Sequence, residues 1–261
     1  VKRIVCDKQV VLRLQPQVNR DGMTLGAEAL LRWNHPKLGL LAPDKFMELA
    51  ERRGVTADIN TYVLENAARL LGAWQIEPET SGLRLAVNIG AEQLFDPELP
   101  RSLRENLKRY AAPPQLLTLE FTEETIAKNR DEAMKAMARL KTTGVRLSLD
   151  DFGTGYSSLA QLKDMPLSEI KIDGRFIRHM HDRPKDAALV KTMLSMAETL
   201  GLDAVAEHVE TAAQEKFLLK HGCSLFQGFL YSGAMTRSDF EESVRQADAR
   251  RDVPAPMANV A

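Results

Sequence analysis

Short runs in which aliphatic and polar residues alternate recur along the chain, separated by longer stretches with apolar residues at helical spacing. The alternating runs predict strands over Val10–Val18, Leu25–Arg32, Leu83–Ile89, Leu116–Thr122, Val145–Asp150, Glu169–Asp173, Asp203–Glu207 and Ser224–Phe229. The stretches between them predict helices over Pro43–Arg53, Ala57–Trp74, Glu132–Thr142, Lys185–Leu200, Ala212–His221 and Arg237–Arg250. In the fourth helix Ala188, Leu189, Thr192, Met193, Met196 and Leu200 fall on one face. Gly144, Gly201 and Gly222 each stand between a helix and the next strand, where left-handed backbone closes a helix. Strands alternating with helices from end to end predict an α/β chain closed into a parallel barrel, with an open doubly wound sheet as the structural alternative.

The alternation within each strand assigns faces, because successive side chains point to opposite sides. In Val145-Arg146-Leu147-Ser148-Leu149-Asp150 the aliphatic residues share one parity, and Arg146, Ser148 and Asp150 the other. Leu83–Ile89 sets Arg84, Ala86 and Asn88 against its aliphatics, and Leu117–Glu120 and Ile170–Asp173 repeat the arrangement. The aliphatic parity packs on helices. The polar parity then faces the lumen, and its last members sit at the C-terminal strand ends, where barrel active sites lie.

Composition narrows the class without naming a chemistry. The 261 residues carry 35 Lys+Arg against 36 Asp+Glu, and this balance argues against a groove for a nucleic-acid polymer. Cys6 and Cys223 are the two cysteines, too few for a disulfide framework or a thiolate-rich metal site and compatible with a reducing cytoplasm. No apolar run approaches the ~20 residues that span a bilayer, so this region is expected to make no membrane contact. The sequence reads as one domain over 1–250 followed by a flexible tail over 251–261. Starting without Met, it reads as a fragment of a longer protein.

The strand ends gather a convergent set, Glu28, Asn88, Glu120, Asp150, Asp151, Lys171, Glu207 and Gln227, one or two from each of seven strands at one end of the predicted barrel. Two carboxylates ~5 Å apart repel by roughly 3 kcal/mol at an effective dielectric of ~20. Some must therefore be protonated, or cations must sit among them. Hard oxygen donors without thiolate or imidazole favour Mg²⁺ or Mn²⁺. Adjacent Asp150 and Asp151 are placed to bridge two ions, an arrangement that activates water for phosphodiester cleavage. Lys171 would orient that water, or deprotonate it if its pKa were lowered.

These residues lie in motifs that resemble the EAL domains, bacterial cyclic di-GMP phosphodiesterases named for Glu-Ala-Leu, present here as Glu28-Ala29-Leu30 within Gly26–Trp33. The similarity continues through Val87-Asn88-Ile89, Leu119-Glu120-Phe121-Thr122-Glu123, the long Asp150–Leu159 run, Lys171-Ile172-Asp173, Ala206–Glu210 and Gln227-Gly228-Phe229. The resemblance implies a TIM-like (β/α)8 barrel with an antiparallel first strand, and hydrolysis of cyclic di-GMP to linear 5′-pGpG with two Mg²⁺ or Mn²⁺ ions. It implies that Glu28, Asn88, Glu120 and Asp150 hold one metal and Asp150 and Asp151 the other, with Glu207 and Glu210 at or behind the second. It further implies that Lys171 contacts the nucleophilic water and Gln227 helps place it or the substrate, beside substrate contacts from Gln15, Leu30, Arg32 and Asp173. Glu123 would steady the loop formed by Asp151, Phe152, Gly153, Thr154, Gly155, Tyr156, Ser157 and Ser158, which in the family links the metal site to the dimer contact. A homodimer, regulatory domains outside this fragment and a cytoplasmic location, including that of a cytoplasmic part of a membrane-anchored protein, complete the expectation.

Three departures from the family pattern stand out. His208 occupies the place of a glycine beside Glu207, Leu14 that of an aromatic residue before Gln15-Pro16, and Tyr231–Ala234 lacks a proline. His208 either strains the backbone next to Glu207 or lies on a permissive surface; the other two changes would weaken guanine packing. The rival to the enzyme is a catalytically impaired EAL domain that binds cyclic di-GMP as a receptor, and a protein-interaction module is a weaker third. His179-Met180-His181 reads as a solvated loop, and Arg101, Arg104, Lys108 and Arg109 as a solvated helix face.

Overall fold

The computed structural model describes residues 9–155 and 162–251, with side chains described to residue 247. Nine strands form one sheet: β1 (Val10–Asn19), β2 (Thr24–His35), β3 (Gly39–Leu41), β4 (Arg84–Asn88), β5 (Leu117–Thr122), β6 (Arg146–Phe152), β7 (Glu169–Ile172), β8 (Asp203–Ala206) and β9 (Leu225–Phe226). The order β1-β9-β8-β7-β6-β5-β4-β2 closes through a β1–β2 pairing, giving a barrel of eight strands with β3 appended to β2. β1 runs antiparallel to both neighbours, and the other barrel strands are parallel, so the expected TIM-like topology with a reversed first strand is present.

The helices are α1 (Met47–Arg52), α2 (Thr56–Trp74), α3 (Ala91–Leu94), α4 (Leu99–Arg109), α5 (Glu123–Lys128), α6 (Arg130–Lys141), α7 (Gly174–His179), α8 (Pro184–Leu200), α9 (Ala212–Lys220) and α10 (Arg237–Arg251). The aliphatic parity of the strands is buried as predicted: Leu85, Val87, Leu117, Leu119, Leu147, Leu149, Ile170 and Ile172 join one core cluster with Leu64, Leu71, Leu103, Met137 and Leu140 from the helices. At roughly 1.5–3 kcal/mol for each large apolar side chain buried, this outer layer stabilises the fold and leaves the lumen free for polar groups. Gly144, Gly201 and Gly222 have φ of 89°, 67° and 88°, the left-handed turns their placement predicted.

Several local expectations differ from what is observed. The predicted helix Pro43–Arg53 is a 3-10 turn over Pro43–Lys45 and then α1, interrupted where Phe46 leaves helical geometry at φ −139° and is buried. In α8 the buried stripe is Val190, Met193, Leu194 and Ala197, whereas Leu189 is 45% exposed and Ala188 and Thr192 face outward. Two overlapping apolar stripes satisfy the same three-and-four spacing there, and spacing alone does not choose between them. α4 carries the expected solvated helix face, with Arg101, Arg104, Lys108 and Arg109 exposed and Arg101 paired with Glu98 and Glu105. Its stripe Leu99, Leu103 and Leu107, not foreseen among so many charges, is buried. His179 ends α7 and Met180 is buried, so that segment is more than a solvated loop. Cys223 is buried, and burial pushes its thiol up to about 12. The first residue of the expected tail, Arg251, instead ends α10, and 252–261 together with Tyr156, Ser157 and Ser158 lie outside the described residues.

Candidate active site at the barrel mouth

The lumenal parity converges at the C-terminal ends of the parallel strands. Lys171, fully buried on β7, lies with its Nζ 2.8 Å from Glu207 Oε1, 3.0 Å from Glu120 Oε2, 3.2 Å from Glu28 Oε2 and 3.4 Å from Asp150 Oδ1. Glu28 accepts further hydrogen bonds from Asn88 Nδ2 at 2.6 Å and Gln227 Nε2 at 2.7 Å. Gln227 also donates to Gln15 Oε1 at 3.2 Å and accepts from Gln17 Nε2 at 3.0 Å. Gln17 belongs to this network and was missed, although it shares the parity of Gln15 two residues away.

Asp151 reaches the site by a device that alternation could not foresee. Strict alternation points it away from Asp150, but the β6–β7 register slips between Leu149 and Phe152 and Asp151 adopts φ +54°. A bulge of this kind re-aims a side chain. As a result Asp150, Asp151 and Glu207 each offer an oxygen within 4.8 Å of the others. Glu120 Oε1 is buried without a hydrogen-bond partner, an acceptor in need of a ligand. These hard oxygen donors fit a divalent cation of the Mg²⁺ or Mn²⁺ type.

The electrostatics reflect crowding of one sign. Burial pushes the Glu207 carboxyl up to about 8, with Asp150 and Glu28 adding to it against the pull of Lys171. Asp151 rises to about 6 through burial and the neighbouring Asp150 and Asp173. Burial holds Glu120 well above the carboxylate range, while for Glu28 the Lys171 charge and the Gln227 and Asn88 hydrogen bonds outweigh burial and bring it down. Burial alone would lower the Lys171 ammonium, but Asp150, Glu120, Glu207 and Glu28 raise it well above its ordinary value. This direction is opposite to the one that deprotonating a water would require, and suits a charged lysine that orients.

The remaining expected positions divide. Leu30 and Asn88 line a cavity of about 610 Å³ together with Leu31, Ile89 and Thr122, a size in the range of small-ligand sites (~300–1,000 Å³). Arg32 is half-buried and donates from Nη1 to the Leu31 carbonyl at 2.8 Å. Buried Glu123, at the start of α5, accepts from the backbone N–H of Gly155 at 3.0 Å, from Thr154 Oγ1 at 3.4 Å and from the Gly153 N–H at 3.5 Å, so it does hold the described part of the Asp151–Ser158 loop. Phe152 is buried behind that loop. Asp173 caps α7, accepting from the Arg175 N–H at 2.6 Å and pairing with its guanidinium at 3.1 Å, so local partners already occupy it.

Glu210 is exposed, and among the described residues no contact joins its carboxylate to the cluster; its backbone N–H donates to Gln214. Leu14 is buried on the outer face, bridged to Met235, so its difference from an aromatic residue does not touch the lumen. His208 has φ +52°, which resolves its two readings in favour of backbone strain next to Glu207, although histidine is among the side chains that tolerate this region best.

A closed α/β barrel here gathers four carboxylates around one lysine at its mouth, a donor set that suits a hard cation. The chain belongs to the EAL domain family, whose model matches residues 2–234. It is 41% identical over 238 residues to the bifunctional diguanylate cyclase/cyclic di-GMP phosphodiesterase MucR of Pseudomonas aeruginosa, and 34% identical over 241 residues to the cyclic di-GMP phosphodiesterase PdeR of Escherichia coli. Those alignments cover 91% and 92% of this chain, but the chain spans only 35% and 36% of the two relatives. Among solved structures, the MucR phosphodiesterase in complex with c-di-GMP superposes with a TM-score of 0.87 at 40% identity, covering 92% of this chain and 97% of that one. The EAL enzyme Bd1971, in a form with cAMP and cyclic di-GMP bound, gives a TM-score of 0.87 at 27% identity over 93% of this chain and 66% of that one.

Proposed function

We propose that this domain is a metal-dependent phosphodiesterase that hydrolyses cyclic di-GMP to linear 5′-pGpG, ending a bacterial second-messenger signal. The observation that carries it is the mouth itself, where one ammonium faces four carboxylates beside a ligand-sized cavity. In the reaction the oxygen of a water attacks phosphorus, the bond to the ribose 3′-oxygen breaks, and that oxygen takes up a proton, leaving a 5′-phosphate and a free 3′-hydroxyl. Two Mg²⁺ or Mn²⁺ ions, held by Glu28, Asn88, Glu120 and Asp150 and by Asp150 and Asp151 with Glu207, would neutralise phosphate charge and lower the pKa of a nucleophilic water.

The chain's own residues do the rest. Charged Lys171 orients the attacking water and holds Glu28, Glu120, Asp150 and Glu207 in place. Gln227 fixes Glu28 and ties the first strand to the site through Gln15 and Gln17. Leu30 and Arg32 face the nucleotide from β2, the guanidinium fork suiting a phosphate. Glu123 couples the loop after β6 to the strand end that carries Glu120, the route by which a homodimer contact would reach Asp150 and Asp151. The domain works within a longer signalling protein in the cytoplasm. The positive φ of His208 beside Glu207 favours a second reading, an impaired domain that retains the nucleotide as a receptor.

Incubation with cyclic di-GMP and Mg²⁺ or Mn²⁺ tests the enzyme. Appearance of pGpG is the expected result. Confirmed nucleotide binding without product in either metal would overturn it and leave the receptor.

A further inference from the structure

The β1–β2 hairpin is longer than the barrel it closes. β2 pairs with β4 only as far as Ala29 opposite Val87, whereas its pairing with β1 continues to Trp33 opposite Val10. The outer part of the hairpin therefore stands above the carboxylate layer as one wall of the mouth. Arg13 lies on this wall, two residues from Gln15 and on the same face of β1, since Gln15 and Gln17 both reach lumenal Gln227. It is opposite Leu30, while Arg32 is opposite Val11, so Arg13 and Arg32 are diagonal neighbours on one face. Diagonal pairs lie roughly 7–8 Å apart, within reach of long side chains.

Two guanidinium groups thus share a patch of wall, and neither forms an ion pair among the described residues. Arg13 Nε is buried without a hydrogen-bond partner, and Arg32 has one hydrogen bond, to the adjacent Leu31 carbonyl, among the described residues. Burial lowers the Arg32 pKa; Glu28 and Asp44 oppose that fall and the Arg13 charge adds to it. Other lumenal cations already face carboxylates: Lys171 has four and Arg146 has Asp203 and Glu169, although Arg146 Nε, like Arg13 Nε, has no hydrogen-bond partner. A buried guanidinium N–H without an acceptor is costly, and an anion bridging the two would satisfy Arg13 and give Arg32 a charged partner.

We propose that Arg13 is a substrate contact which, with Arg32, clamps the phosphodiester of the cyclic dinucleotide that is not being cleaved. This rests on the cyclic di-GMP reading above. The substrate carries two phosphodiesters; one must enter the carboxylate layer to react, and the other then meets the wall above it. Neither composition nor motif pointed to Arg13; its signal was parity with Gln15, extended beyond the barrel by the hairpin.

The test compares KM and kcat for cyclic di-GMP in Mn²⁺ for the wild type, Arg13→Ala and Arg13→Lys at low and high salt. One lost charge-assisted hydrogen bond corresponds to about 10- to 100-fold in affinity. Arg13→Ala is expected to raise KM by that factor with kcat within about twofold of the wild type, and its KM should respond less to salt because one screened contact is gone. Arg13→Lys should recover part of the loss, since it keeps the charge without the fork. If the wild type hydrolyses the substrate while Arg13→Ala keeps its KM, or if both variants lose kcat equally at unchanged KM, the clamp is overturned and the enzyme stands. A wild type that neither binds nor hydrolyses cyclic di-GMP would overturn both.

Discussion

The two ends of the barrel lumen contain the same kinds of residue in different balance. At the N-terminal ends of the parallel strands, Arg84 lies 3.2 Å and Arg146 2.6 Å from Asp203, with Glu169 3.9 Å from Arg146. There, two guanidinium groups meet two carboxylates, and the floor neutralises itself. At the mouth Lys171 meets Glu28, Glu120, Asp150 and Glu207, with Asp151 close by. A buried charge is tolerated when paired, so an end with surplus carboxylates is built for a cationic ligand and the balanced end for structure. The chain's near-zero total charge conceals this difference because the surplus is local.

That contrast is broken most severely by removing a mouth carboxylate. Asp150→Ala or Glu28→Ala should lower kcat by about 10³-fold or more, the upper end of what removing one electrostatic stabiliser costs, as read by pGpG formation. Next comes Lys171→Ala. It should still bind substrate but turn over about 10²-fold or more slowly, and lose about 3–5 kcal/mol of metal-free stability because buried Glu28, Glu120 and Glu207, with half-buried Asp150, lose their partner. Near-normal turnover would refute the lysine's role. His208→Gly should stabilise the fold by about 1 kcal/mol by relieving the positive φ, measured by denaturant melts. If the parent were inactive and the glycine variant active, the receptor reading would be favoured. On the floor, Asp203→Asn should cost no more than about 1 kcal/mol, since the aspartate is 40% exposed, and should leave kcat unchanged. A floor variant that impaired turnover as a mouth variant does would erase the distinction.

All eight barrel strands were legible, most because they alternate, β8 and β9 because a short apolar run follows the glycine that ends a helix. The lumenal side chains Glu28, Asn88, Glu120 and Lys171 followed from parity, and Gln227 from its place at the end of its strand. What alternation could not show is where the pattern is broken: the bulge that turns Asp151 beside Asp150, and the left-handed backbone at His208. Nor could it show the partners that draw Asp173 into a helix cap or leave Glu210 in solvent, since these depend on the turns and helices beyond each strand end. Leu14 differs from expectation for the opposite reason. Its parity, opposite to Gln15, already places it in the outer core, and only the motif suggested a role in guanine packing. α8 shows the limit of helical periodicity, where two apolar stripes compete and the tertiary neighbours decide.

The surplus of acids at the mouth is tested most directly by counting bound Mn²⁺ on the metal-free protein by electron paramagnetic resonance, with Asp150→Ala and Asp203→Asn alongside. Two saturable ions are expected in the wild type and in Asp203→Asn, with both sites weakened or lost in Asp150→Ala, the carboxylate proposed to be shared. No saturable Mn²⁺ in the wild type, or equal binding in all three proteins, would contradict this expectation.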